Sequence, residues 1–342
     1  MVKTNAGRFF EDYAPGQVIE HAVPRTVSGG ERAMYHALYP ARGALYSSDE
    51  FARSCGLPAS PLDDLAGFHV IFGKSVPDIS LNAVANLGYA EGRFLKPVFA
   101  GDTLRSSSEV IGVKQNSNGK TGVVYVRTRG TNQRGETVME FVRWVMVRKR
   151  DVDAAAPEAV VPELGKVVAP EDLPIPEGLD FSSYDFTQAG EEHRWGDYEI
   201  GEQIDHVDGV TIEEAEHMMA TRLWQNTAKV HFDATARPDG TRLIYGGHVI
   251  SMARALSFNG LANAQMIVAI NGGAHANPCL SGDTVRAWSE VLDKAETSAP
   301  GVGAVRLRLV ATKGEAFKLR GEDGKYLPEV LLDLDYWALM PL

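Results

Sequence analysis

The chain repeats itself. Asp12-Tyr13, Gly16, Ile19 and His21 recur 185 residues later as Asp197-Tyr198, Gly201, Ile204 and His206. Gly67-Phe68-His69-Val70-Ile71 recurs at an offset of 179 as Gly246-Gly247-His248-Val249-Ile250. Pro97 with Gly101-Asp102-Thr103-Leu104-Arg105 recurs at 181 as Pro278 with Gly282-Asp283-Thr284-Val285-Arg286. Small loop insertions account for the drift, and the blocks keep their order. One supersecondary plan is therefore used twice, which restricts the fold to two like halves packed together.

Between the halves, residues 151–182 carry Ala154-Ala155-Ala156-Pro157 and prolines 162, 170, 174 and 176 without apolar periodicity. A stretch of that length and composition reads as an extended linker. The expected organisation is residues 1–150, a linker over 151–182, and residues 183–342.

Each half opens with a short extended stretch and a helix. In the second, Thr211-Ile212-Glu213-Glu214 has the form of a capping box and predicts a helix from there through Leu223. A loop carrying Asn226 and His231 follows, and then Gly246-Gly247 opens an apolar helix ending near Gly260. The rest reads as strand. Val124, Val126 and Thr128 alternate with Tyr125, Arg127 and Arg129, and Val305, Leu307 and Leu309 alternate with Arg306 and Arg308. Asn118-Gly119, Arg134-Gly135 and Asp323-Gly324 predict hairpin turns. Each half is thus an antiparallel sheet with one apolar helix that must bury itself against it, an α+β arrangement.

The loop of polar side chains beside a helix start has chemical meaning. Backbone N–H groups at a helix N-terminus lack partners and carry the positive end of the helix dipole, so they suit an oxygen that gains negative charge during a reaction. The rest of the sequence removes other classes of function. A formal net charge of -11, with no basic run, argues against bulk affinity for nucleic acid or an anionic membrane. No apolar stretch approaches the length of a membrane span or a leader, so a cytoplasmic protein is expected. Cys55 and Cys279 have no paired spacing, and no metal-ligand motif occurs. Asn118-Gly119-Lys120-Thr121 imitates the end of a phosphate loop, yet Lys114 stands where a glycine is required.

A sheet wrapped around one apolar helix, duplicated in tandem, resembles the double hot dog fold. Within it, Arg93-Phe94-Leu95-Lys96-Pro97-Val98 followed by Gly101-Asp102 resembles the MaoC-like dehydratases, which add water to enoyl-CoA thioesters. Through Arg222-Leu223-Trp224-Gln225-Asn226-Thr227-Ala228-Lys229-Val230-His231-Phe232, and over nearly the whole chain, the sequence is similar to the mesaconyl-CoA hydratases, also called beta-methylmalyl-CoA dehydratases. The resemblance implies reversible hydration of mesaconyl-C1-CoA in acetate or glyoxylate assimilation. It also implies an acyl-CoA as the partner and neither metal nor organic cofactor.

The signature of the family is an Asp, four residues, a His, and downstream a Gly at the start of the central helix. Asn226, His231 and Gly247 stand in those places. The resemblance casts His231 as acid and base, and Gly247 N–H as donor to the enolate oxygen. Asn226 departs from the pattern: a carboxamide cannot take a proton from water but can orient it. Asp233 is either a substitute carboxylate or a loop acid. The first half has Ala41, Tyr46 and Phe68 at the three positions, so one active site is expected, on the second half. Tyr46 and Phe68 then line its pocket or fill the degenerate site. His69 and His248 recur in both halves and read as structural, and His275 reads as core or pocket wall. The substrate's free carboxylate calls for a cation, for which Arg222, Lys229, Arg237 and Arg242 lie near the motif; Arg93 and Lys96 are candidates for the CoA phosphates. A hot dog thioesterase and a non-catalytic acyl-CoA binding module are the competing readings. A tandem chain already makes the pairing of a hot dog dimer, which allows a monomer; further homodimerisation is the preferred expectation.

Overall fold

In the computed structural model, which describes residues 3–342, ten strands form a single sheet. They are β1 (Val18–Thr26), β2 (Ala83–Phe94), β3 (Thr103–Gln115), β4 (Thr121–Thr131), β5 (Thr137–Arg148), β6 (Gln203–Thr211), β7 (Ile267–His275), β8 (Thr284–Glu296), β9 (Val302–Lys313) and β10 (Val330–Pro341). The order is β1-β3-β4-β5-β2-β7-β10-β9-β8-β6, with every pairing antiparallel. Read outward from the middle, the two halves use the same order of strands. They meet where β2 pairs with β7, Tyr89 opposite Gly273 and Arg93 opposite Ala269.

The predicted alternation decides which face of each strand is covered. Val124, Val126 and Thr128 are buried, as are Val305, Leu307 and Leu309, while the intervening arginines reach the outer face. There they pair with acids on neighbouring strands: Arg127 with Glu91 at 2.7 Å, Arg306 with Asp335 at 2.6 Å, Arg308 with Glu290 at 3.0 Å. Partly exposed pairs of this kind stabilise by about 1 kcal/mol or less, so the fold rests on what lies beneath the sheet. That is the helix Asp64–Ser75, every residue of which is buried, against β1, β3 and β4, and the helix Gly246–Leu256 against β6, β8, β9 and β10.

The recurring residues do paired structural work. His21 Nε2 bonds Ser108 Oγ at 2.8 Å on β3, and His206 Nε2 bonds Ser289 Oγ at 2.8 Å on β8. Asp102 accepts from Phe99 N at 2.9 Å, and Asp283 from Leu280 N at 2.9 Å. The turns at Gly119, Gly135 and Gly324 all have positive φ, as hairpin chemistry requires. Residues 151–182 contain one short 3-10 turn at Pro170–Asp172 and cross the other face of the sheet, where Trp337 Nε1 donates to Val168 O at 3.1 Å. Among the described residues no helix is long and apolar enough to cross a membrane.

Two local expectations need correction. The helix after β6 runs Glu214–Leu223 with Glu213 as its unbonded cap. Thr211 is still strand, its hydroxyl spent on Thr284 Oγ1 at 2.8 Å, so the capping box does not form. His231 lies not in a loop but on a one-turn helix, Lys229–Phe232.

Gly73 is where the halves press hardest. A Cβ there would lie 1.7 Å from the carbonyl oxygen of Trp224, two residues before Asn226. In a free helix Gly→Ala stabilises by roughly 0.5–1 kcal/mol. Here backbone blocks the added methyl, so Gly73→Ala is expected to destabilise by about 1–3 kcal/mol in urea unfolding. A rise in stability would show that the two backbones do not meet this closely.

Candidate active site

Asn226 and His231 open onto one cavity of about 300 Å³ at the junction of the halves. The second half supplies them together with Tyr245, Gly246 and His275; the first half supplies Phe72, Ser80, Asn86, Tyr89 and Arg143.

The geometry of His231 sets its protonation. Its Nδ1 lies 2.8 Å from the carbonyl oxygen of Leu243, which can only accept, so Nδ1 carries the proton and donates it. In the neutral ring Nε2 then holds the lone pair, with no protein partner among the described residues. Burial lowers the pKa of His231 below the ordinary histidine value, only partly opposed by that carbonyl, so the neutral form prevails at neutral pH. Asn226 is buried at 2% exposure, and among the described residues the single protein hydrogen bond of its side chain is a long one, from Ala228 N to Oδ1 at 3.5 Å. Its amide NH₂ is left for a ligand or water.

Beside them the helix Gly246–Leu256 begins. Its cap, Tyr245, donates its N–H to His217 Nε2 at 2.8 Å, and Tyr245 O accepts from His248 N at 2.9 Å. Between these bonds the N–H groups of Gly246 and Gly247 have no protein partner among the described residues. Gly246 lines the cavity and has no room for a side chain, since a Cβ would lie 2.4 Å from His275. Gly247 lies next to it, against the Tyr245 ring. His275 is pocket wall, with Nε2 3.2 Å from Tyr89 OH across the seam, and burial pushes its pKa down to about 4. His69 and His248 are fully buried in bonds between the halves, His69 to Tyr245 OH at 3.1 Å and Ser251 Oγ at 2.7 Å, and His248 to Tyr39 OH at 3.2 Å.

The remaining candidates lie elsewhere. Asp233 is exposed and caps a turn through Thr235 N at 2.9 Å. Tyr46 occupies the corresponding place in the first half, its hydroxyl bonded to the buried Asp64, beside a void of only about 30 Å³. Phe68 is packed into the core against Phe141, ring centroids 5.0 Å apart. Arg222 and Lys229 are exposed. Arg237 pairs with Asp239 at 2.6 Å, Arg242 with Glu214 at 3.4 Å, Arg93 with Asp172 at 3.7 Å and Lys96 with Glu136 at 2.8 Å. None of these six cations lines the cavity. The cavity wall contributed by the other half carries Asn86, Tyr89 and Arg143 instead. Tyr89, Arg143 and His217 escaped the sequence reading. For Arg143 a signal existed: it occupies the inward register of Phe141, Val145 and Val147, where a charge is out of place.

The profile of the family described as mesaconyl-CoA hydratase matches residues 2–318. The chain belongs to that family. It is 77% identical over 342 residues to a mesaconyl-CoA hydratase of Cereibacter sphaeroides, covering 99% of this chain and 100% of the other. It is 56% identical to a beta-methylmalyl-CoA dehydratase of Chloroflexus aurantiacus, covering 99% and 98%. A solved MaoC domain protein from Chloroflexus aurantiacus superposes with a TM-score of 0.97 at 56% identity, over 100% of this chain and 99% of that one. A Mycobacterium tuberculosis protein described as a double hotdog fold shares the architecture at TM-score 0.78 and 24% identity, over 98% of both chains. The tandem hot dog architecture of this mesaconyl-CoA hydratase family member is therefore the expected one.

Removing the base beside Asn226 should be costly. We expect His231→Ala to lower kcat by about 10²- to 10⁴-fold with little change in thermal stability. Because the histidine must be neutral to take a proton, and its pKa lies below the usual value of about 6.5, kcat/KM for hydration should fall only as pH drops below that value. An acid limb at higher pH, or a fully active alanine variant, would remove His231 from the reaction.

Proposed function

We propose that the chain catalyses the reversible addition of water to mesaconyl-C1-CoA, giving beta-methylmalyl-CoA. The observation that carries this reading is that His231, its Nδ1 committed to Leu243 O and its Nε2 without a protein partner among the described residues, lines one cavity with Asn226 and with Gly246, where the helix Gly246–Leu256 begins.

The chemistry follows from those positions. Asn226 holds a water by hydrogen bonding, and Nε2 takes its proton as the oxygen bonds to the β carbon. The electron pair of the double bond shifts onto the thioester oxygen, which the N–H groups of Gly246 and Gly247 receive as an enolate; one such donor is worth about 3–4 kcal/mol of barrier in other enzymes. The protonated Nε2 then delivers the proton to the α carbon as the enolate collapses. Water is consumed whole, His231 ends as it began, and the reverse sequence expels water. No step of this scheme calls for a metal or an organic cofactor. The same reading puts the reaction in the cytoplasm, with the acyl-CoA as its partner and association of two chains as the expected assembly.

The test is to incubate the protein with mesaconyl-C1-CoA, crotonyl-CoA and a saturated acyl-CoA, following intact thioester mass and free thiol together. Mesaconyl-C1-CoA should gain the mass of one water with no thiol released. Thiol release, from the saturated thioester included, would establish hydrolysis instead, and three unchanged thioesters would mark a binding module.

A further inference from the structure

Among the described residues, the cavity that holds His231 is lined by one formally charged side chain, and it comes from the other half of the protein. Arg143 on β5 is fully buried. Its Nη1 donates to Ser80 Oγ at 2.8 Å and its Nη2 to Ser75 Oγ at 2.8 Å, and the guanidinium carbon sits 4.2 Å from the centre of the Phe72 ring. The two hydroxyls and the ring face orient the group without neutralising it. Nε is buried without a partner, and among the described residues no carboxylate pairs with Arg143. Of the guanidinium's five N–H donors, those two bonds use two.

A cation held in the interior normally has its counter-ion beside it, because desolvated charge is stable only when paired. Three arginines on the outer face of the sheet, Arg127, Arg306 and Arg308, each have an acid beside them even there. Burial without an anion even eases the proton on Arg143, its pKa pushed down to about 10. Among the described residues the cavity offers no acid of its own, since no Asp or Glu lines it. The missing anion must enter with a ligand.

We propose that Arg143 is the receptor for the second carboxylate of the substrate and sets the preference for a dicarboxylic enoyl-CoA over a hydrocarbon one. This rests on the hydration reading above and names the residue behind its substrate class. In mesaconyl-C1-CoA the free carboxylate is carried by the β carbon, the atom that water attacks, so the group that binds it must share the cavity of the base. Arg143 meets that condition, and the cations near the motif in sequence do not. A guanidinium there also offsets the repulsion between that carboxylate and an incoming hydroxide-like oxygen. Arg143 thereby acts on specificity and on positioning of the β carbon, while His231 moves the proton.

The test separates recognition from turnover. Methylsuccinyl-CoA, the saturated dicarboxylic thioester with the same branching, and 2-methylbutyryl-CoA, which has a methyl in place of the carboxylate, are titrated into the wild-type protein and into Arg143→Gln and Arg143→Lys by calorimetry. The wild type should bind the dicarboxylic thioester about 100-fold more tightly. Arg143→Gln should erase that preference while keeping its affinity for 2-methylbutyryl-CoA, and Arg143→Lys, which keeps charge but not the planar fork, should retain a reduced part of it. Equal wild-type affinity for the two thioesters, which needs no folded variant, overturns the assignment. So does a Gln variant that is folded by thermal melting and still discriminates, or one that loses both ligands alike. Failure of the hydration reading shows separately, as wild-type protein that leaves mesaconyl-C1-CoA unchanged.

Discussion

Everything distinctive about the molecule depends on the pairing of β2 with β7. Those hydrogen bonds turn two five-stranded layers into one sheet, and they bring Tyr89 and His275 within 3.2 Å across the seam. The cavity sits at that seam and draws its walls from both sides. A site of this kind needs each half to hold the other in register, because backbone pairing fixes side-chain facing residue by residue. The buried bonds from His69 to Tyr245 and from His248 to Tyr39 make the same connection beneath the sheet.

The two halves agree where the fold needs them to and differ around the cavity. Matching residues are anchors: a histidine bonded to a strand serine, an aspartate closing a turn on backbone N–H. At the chemical positions the first half has Tyr46 bonded to Asp64 and Phe68 stacked into the core, and little empty space remains. The second half keeps Asn226, a histidine fixed in one tautomer by Leu243, and a pair of glycines at the mouth of a helix.

Much of this was readable from the residues alone. The repeat revealed the twofold plan, the alternation of Val124 with Arg127 revealed which strand face is wet, and the Gly-Gly before an apolar run located the helix start. What escaped were features decided by competition or by distance. Thr211 had the spelling of a helix cap, but a cross-strand partner, Thr284, took its hydroxyl. Lys229–Phe232 is a single helical turn too short to show periodicity. Arg143 is far from the motif in sequence and near it only because β5 lies next to β2, which lies next to β7. A search for cations around Asn226 could not find it; a search for charges misplaced in a strand's inward register could.

Covalent linkage of the halves has a further implication. In a dimer of identical hot dog chains every substitution is made twice, so a base and an anion receptor on opposite walls would each appear in both sites, and each would also be present where its counterpart is wanted. A tandem chain escapes that bookkeeping. His231 comes from one copy and Arg143 from the other, and neither is duplicated. The molecule thus keeps the scaffold of a symmetric dimer while presenting a polarised interior, with the imidazole of His231 on one flank and the fixed positive charge of Arg143 on the other.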